Sequence, residues 1–378
     1  MKFLTSRYLL FLALALIAVE LTFRFGLYEP VVSPSSHSGT TILLKRALKA
    51  FDGDQVKVVT FGDSRAGQGL HNKRIYEAGR AFNVDHLKLS MAGSHLLTFK
   101  ALASWSLDEL EDLEGIVIAV SPAAFAWMGN GAYELAKVMP LRNDIPAREM
   151  FKHVPFRQSD IRTFAPLFSA AGYRDDIKDL LANPIERFQA LQKRDTRTPM
   201  SILANTSTPS YDICYVSTDD PDACLRALQA SGDELPERAR HGLETLCKAA
   251  LKNRKTRKPG PEVGPLVDEW VSFMEQLSRR VRVMLVILPD HSVYRDHQYH
   301  PNIAVVGQGV VARLNETGIA DVVDLSEVIR DQKSPECGFF MDHVHLNMAG
   351  KQLLTDSLLP ELEAFWARLP GVAEPAAY

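Results

Sequence analysis

Val56-Lys57-Val58-Val59-Thr60-Phe61-Gly62-Asp63-Ser64 is a β-branched apolar run that stops at a glycine, an acid and a serine. A run of this kind reads as a buried strand, and the glycine that ends it permits a tight turn. A side chain displayed just past such a strand stands at the carboxyl end of a sheet, where open α/β folds put their ligand sites. Similar runs recur at 86–90, 115–120, 281–288 and 321–325. Helical periodicity falls at 94–113, 265–280, 303–317 and 348–366. Strands this apolar, separated by amphipathic helices, imply a parallel sheet covered on both faces. Five of them predict an α/β, three-layer, flavodoxin-like domain with a five-stranded parallel sheet.

The chain has 378 residues, 46% of them hydrophobic, enough to bury a large core. Its net charge of -3 and pI near 6.4 give no reason to expect a nucleic-acid partner. The basic cluster KNRKTRK at 252–258 has no interleaved aromatic residue for stacking and reads as a solvated loop.

Near the C-terminus stands Asp342-His343-Val344-His345, almost 280 residues after Ser64. Serine, histidine and carboxylate are the three parts that turn a weak hydroxyl into a nucleophile. His345 would take the proton from Ser64, and Asp342 would hold the imidazole tautomer and stabilise the imidazolium. His343 competes for the role of base. A helix beginning near Ser64 would aim free N–H groups at a developing oxyanion. Taken alone, Gly-Asp-Ser is also an ordinary helix cap, and the C-terminal motif is what weighs against that. Asp-His-Val-His lacks further ligands at metal-binding spacing, so no metal is expected, and no cofactor.

Lys2 and Arg7 precede an uninterrupted apolar run of 12 residues, 8–19, extended past Glu20 by Leu21, Thr22, Phe23 and Phe25. The run is of signal-peptide length, but no small-x-small cleavage site follows, so the segment is expected to stay as a signal anchor, with a cleaved signal as the alternative. The charge bias puts the N-terminus inside and the body outside, which predicts a single-pass protein of the cytoplasmic (inner) membrane with its main domain in the periplasm. Glu20 is costly in lipid and is expected at the interface or against a membrane partner. Four cysteines, Cys214, Cys224, Cys247 and Cys337, fit an oxidising compartment; three connectivities are open, and Cys214 with Cys224, which closes the shortest loop, is the first expected bridge.

Gly62-Asp63-Ser64 and Asp342-x-x-His345 resemble the first and last signature blocks of the SGNH (GDSL-type) hydrolase superfamily. Gly93, after the second strand, falls where that family's second block has an oxyanion-hole glycine. The third block, Gly-x-Asn-Asp, is absent; its place reads Val120-Ser121-Pro122-Ala123. The resemblance therefore implies Ser64, His345 and Asp342 as catalytic residues. The Ser64 and Gly93 amides would be the oxyanion donors, either with Ser121 standing in for the asparagine or by themselves. The N-terminal anchor, the Ser-Arg after Gly-Asp, the Ser-Pro and a large insertion look like the membrane-anchored DltD-type and alginate-acetylation-type branch. Those proteins work beside membrane-bound O-acyltransferases on cell-surface polymers.

The expected organisation is an anchor at 1–26, a polar stalk at 27–41, the α/β domain at 42–122 and 265–370, and an inserted subdomain at 123–264 with a helix near 173–193. Trp127 and Tyr133 of the insertion are expected in packing rather than stacked on sugars. The expected activity is that of a serine esterase or O-acyltransferase on acyl, chiefly acetyl, esters of a cell-surface or exported polysaccharide. A membrane-bound O-acyltransferase would be its partner. The alternative is a non-catalytic adaptor that binds polymer or recruits such an enzyme.

Overall fold

A computed structural model describes residues 2–50, 55–125, 131–154, 156–192, 262–292, 301–342 and 344–372, with scattered positions between 214 and 247. Five strands form one sheet: β1 (Val56–Gly62), β2 (Val84–Ser90), β3 (Leu113–Val120), β4 (Arg282–Ile287) and β5 (Asp321–Asp324). The order is β2-β1-β3-β4-β5 and all neighbours are parallel. This is the flavodoxin-like order, and its switch point lies between β1 and β3. The five strands stand where the sequence predicts them. β2 and β3 begin two residues early, after Asn83 and Asp112 (φ 58° for each). Asn and Asp are the side chains that tolerate this left-handed turn.

The chain divides into two compact units. The first, Asp52–Leu96, Leu110–Trp127 and Leu203–Tyr378, contains the sheet. On one face Val58, Val117, Ala119, Met284 and Val286 pack against Ala66, Ile75, Leu354, Leu358 and Phe365. The helical partners belong to α3 (Ser64–Gly69), α4 (Asn72–Ala81) and α12 (Met348–Trp366). Successive strand side chains point to opposite faces. Val59, Phe61, Ile116, Ile118 and Leu285 are accordingly turned the other way and are equally buried. Helices α10 (Val263–Ser278) and α11 (Pro301–Thr317) pack on each other and on β4 and β5. Trp270 anchors α10 by donating from Nε1 to the Phe125 carbonyl at 3.1 Å.

β2 carries a fully buried imidazole. His86 Nε2 lies 2.6 Å from Thr60 Oγ1, with the Trp366 ring edge-on at 5.5 Å. Burial pushes the His86 pKa from 6.5 down to about 3. The unfolded chain therefore takes up this proton first as pH falls. The stability tied to neutral His86 is complete above pH 6.5 and is lost on the way down toward pH 3. One such group contributes about 1.4 kcal/mol per pH unit in that window. Urea unfolding between pH 7 and pH 4.5 should show a shallower pH slope for His86→Leu than for the parent.

The second unit, Met1–Phe51, Leu97–Glu109 and Met128–Ile202, is helical. It comprises α1 (Lys2–Arg24), α2 (His37–Lys49), most of α5 (Leu96–Glu109), α6 (Gly131–Val138), α7 (Ala147–His153), α8 (Arg174–Ala182) and α9 (Pro184–Gln192). Ser38 and Thr41 of α2 donate to the Ala136 and Lys137 carbonyls at 2.7 and 2.8 Å. Within 27–41, Glu29–Val31 form a 3₁₀ turn and His37 opens α2. Asp176 ties that segment down by accepting from Tyr28 Oη and the Ser33 amide at 2.8 Å each, and by pairing with Arg187. The helix expected near 173–193 is two helices. Pro184 disfavours helical backbone at Asn183 and has no N–H to continue the ladder.

Glu20 finds partners within the chain, and one other expectation changes. Glu20 is engaged inside its own unit, accepting from Arg142 Nη1 at 2.8 Å and from the Ser169 amide at 2.6 Å. The shortest cysteine loop is not the one closed. Cys214 is bonded to Cys337, 123 residues away, and Cys247 is also disulfide-bonded. Loop-closure cost rises slowly with length, so the fold rather than sequence proximity selects the pair. No helix among the described residues is long and apolar enough to cross a membrane.

Candidate active site

Ser64 opens α3 directly after β1, with Asp63 as the cap. Asp63 Oδ1 accepts from the amides of Arg65 (2.9 Å) and Ala66 (3.4 Å). At the other end of α3, buried Lys88 donates to the carbonyls of Gly67 and Leu70 at 2.8 Å each. Gly62 is needed for a steric reason. A Cβ there would lie 2.2 Å from Ala66 Cβ and 2.9 Å from the Ala119 carbonyl. Gly62→Ala must push α3 off the sheet, and Ser64 with it. The expected result is a loss of ester turnover larger than the loss of stability, read from steady-state kinetics beside urea midpoints.

Asp342 and His345 sit at the tip of a short hairpin. Phe340 and Leu346 form an antiparallel bridge, and the Met341 amide donates to the His345 carbonyl at 2.9 Å. Both bridge residues are buried and hold the tip in place. Asn347 continues the support: its Nδ2 donates to the Gly338 carbonyl at 2.8 Å, and its Oδ1 caps α12 by accepting from the Gly350 amide at 3.0 Å. The Cys214–Cys337 bridge is fixed just before the hairpin. Asp342 Oδ1 accepts the amides of Val344 and His345 at 2.9 and 2.8 Å, folding the turn back on itself.

This turn brings the three expected residues together. His345 Nδ1 is 2.8 Å from Asp342 Oδ2, and His345 Nε2 is 2.9 Å from Ser64 Oγ. An ionised carboxylate only accepts, so Nδ1 carries the proton and Nε2 is the acceptor facing the Ser64 hydroxyl. Such a relay lets an imidazole remove a hydroxyl proton. Ser64 is partly accessible, while Asp342 is buried. His343, the competing base, lies outside the described residues.

Gly93 and Ser121 leave the sheet on either side of β1. Gly62 is in register with Ser90 of β2 and Ala119 of β3, so Ser64, Gly93 and Ser121 follow three adjacent strand ends. Gly93 has φ +63°, a conformation that favours glycine. Ser121 is fully buried and its Oγ has no hydrogen-bond partner. Tyr133 is in contact with Arg162 over its ring at 4.6 Å and with His37 at 5.1 Å. Trp127 lies outside the described residues.

Behind Ser64 is a charge cluster that the motif reading missed. Arg65 is buried between two buried carboxylates, with Nη1 3.1 Å from Asp63 Oδ2 and Nε 2.8 Å from Asp290 Oδ1. Asp290 follows β4 at the carboxyl edge, and that position was its only signal in the sequence. The guanidinium neutralises charge on Asp63 and pins the first turn of α3 to the loop after β4.

No family model matches this chain, and no curated protein matches it. Among solved structures it is similar to the lipase/acylhydrolase from Enterococcus faecalis, at 13% identity over 86% of this chain and all of that one, with a TM-score of 0.36. It is also similar to a candidate platelet activating factor from Streptococcus pneumonia, at 11% identity over 94% of this chain and 99% of that one, with a TM-score of 0.30.

Proposed function

We propose that the chain is an SGNH-type serine hydrolase or O-acyltransferase in which Ser64 attacks an acyl ester. The observation that carries this is the continuous hydrogen-bond relay from Ser64 through His345 to Asp342. His345 Nε2 takes the Ser64 proton as Oγ bonds to the ester carbonyl carbon. The Ser64 and Gly93 amides then face the oxyanion. His345 returns the proton to the departing alcohol, leaving an acyl-serine. Water, or a sugar or polyol hydroxyl, reverses these steps and frees Ser64. Our reading of the substrate is an acetyl ester of a cell-surface or exported polysaccharide. We place the protein on the outer face of a cytoplasmic membrane, held there by α1 and working beside a membrane-bound O-acyltransferase. The exposed apolar residues of α1 and the disulfides support that location.

A fluorophosphonate, which phosphonylates activated serines as Oγ bonds to phosphorus and fluoride leaves, tests the chemistry. The full chain should be labelled on Ser64, as located by mass spectrometry, and pretreatment should block turnover of p-nitrophenyl acetate. Absence of labelling with the fold intact would instead leave a polymer-binding adaptor.

A further inference from the structure

The helical unit leaves an apolar groove of about 850 Å³ open to solvent. Ile161, Phe164, Phe168, Ile177 and Leu181 line it, and Arg174 and Lys178 also border it. The same unit also exposes Leu167, Ile185 and Phe188. Leu181 is 76% exposed and Ile185 71%. Side chains of this size are not left in water in such density without something to cover them.

α1 is bare in the same way. Tyr8, Leu9, Leu10, Phe11 and Leu12 are consecutive and all exposed. Five successive residues go more than once around a helix, so α1 is apolar on every side. A helix of that kind needs an apolar medium around it.

Hydrogen bonds connect these two surfaces. Glu20, directly after the apolar run, accepts from the Ser169 amide at 2.6 Å and from Ser169 Oγ at 2.9 Å. Phe168, Ala170 and Ala171, on either side of Ser169, belong to the groove wall. Phe23 packs on Tyr28 and Tyr173 with ring centroids 4.5 and 5.2 Å apart. The end of α1 is thus fixed at the groove, and the level at which α1 leaves an apolar medium is also the level of the groove.

We infer that this groove is a bilayer-docking surface. Its apolar side chains enter the boundary between headgroups and acyl chains, and Arg174 and Lys178 meet anionic lipid phosphates. The inference rests on the membrane attachment proposed above and extends it from one helix to a face of the helical unit. Such a face would set the height and tilt of the helical unit on the membrane.

The test uses the full chain bound to vesicles of phosphatidylcholine and phosphatidylglycerol. A polarity-sensitive fluorophore is attached to Leu181→Cys or to Leu12→Cys on α1. Lipids carrying a nitroxide on the acyl chain serve as quenchers. Emission at Leu181 and Leu12 should shift to the blue and be quenched. Joint Arg174→Glu and Lys178→Glu substitution should weaken quenching at Leu181 and leave Leu12 quenched. Quenching at Leu12 with none at Leu181 would overturn the docking surface and leave the attachment standing. Silence at both would overturn the attachment and the surface with it. A blue shift at Leu181 without nitroxide quenching would show that protein covers the groove, and would also overturn the proposal.

Discussion

Ser64→Ala is expected to lower turnover of an activated acetate ester by roughly 10⁴- to 10⁶-fold while leaving the urea midpoint almost unchanged. The hydroxyl contributes little to packing, so the loss should appear in chemistry and not in folding. His345→Ala should cost about as much, because without Nε2 nothing 2.9 Å from Ser64 Oγ accepts its proton. The double variant should be little worse than either single one, since the relay acts as a unit. Asp342→Asn should fall at or below the loss seen for the base. It keeps the shape of the turn but offers Nδ1 no charged acceptor to hold the tautomer. Stopped-flow assays of the four proteins, with circular dichroism as a fold check, decide the matter. Near-parental activity in His345→Ala would remove the relay from the mechanism.

The largest expected effect on stability is at Arg65. Arg65→Met removes the cation between Asp63 and Asp290 and leaves two buried carboxylates facing each other. Breaking a buried ion pair from one side costs about 3–5 kcal/mol, more than most single substitutions. Urea unfolding should show this as a lower midpoint with an unchanged slope. Arg65→Lys should fall between parent and Met, because an ammonium restores the charge without the fork that spans both acids. Adding Asp290→Asn to Arg65→Met should recover part of the loss. If that second change makes no difference, Asp290 is not coupled to Arg65.

The sheet was legible because its strands are continuous apolar runs, a pattern that buried parallel strands require. Ser64, Asp342 and His345 were legible because each sits in a short local motif whose geometry is set by neighbours in sequence. The Arg65–Asp290 pair was not, since it joins the first turn of α3 to the loop after β4 and no spacing rule links them. The cysteine partner of Cys214 was hidden for the same reason. α2 went unread because its residues 37–41 are His, Ser, Gly and Thr, which mark loops when taken alone. It is held as a helix by the Ser36 cap and by packing on α6.

Ser64 and His345 touch across 281 positions of chain. A polypeptide lengthening from its N-terminus has its serine long before it has a base. During that interval the hydroxyl is an ordinary alcohol, because nothing nearby in sequence can activate it. Closing so long a separation is slow compared with forming the local strand and turn around Ser64. On the proposed mechanism, reactivity would therefore arrive late and all at once, when the C-terminal hairpin docks beside the end of β1. Fragments cut short before that hairpin keep the serine and have no means to use it.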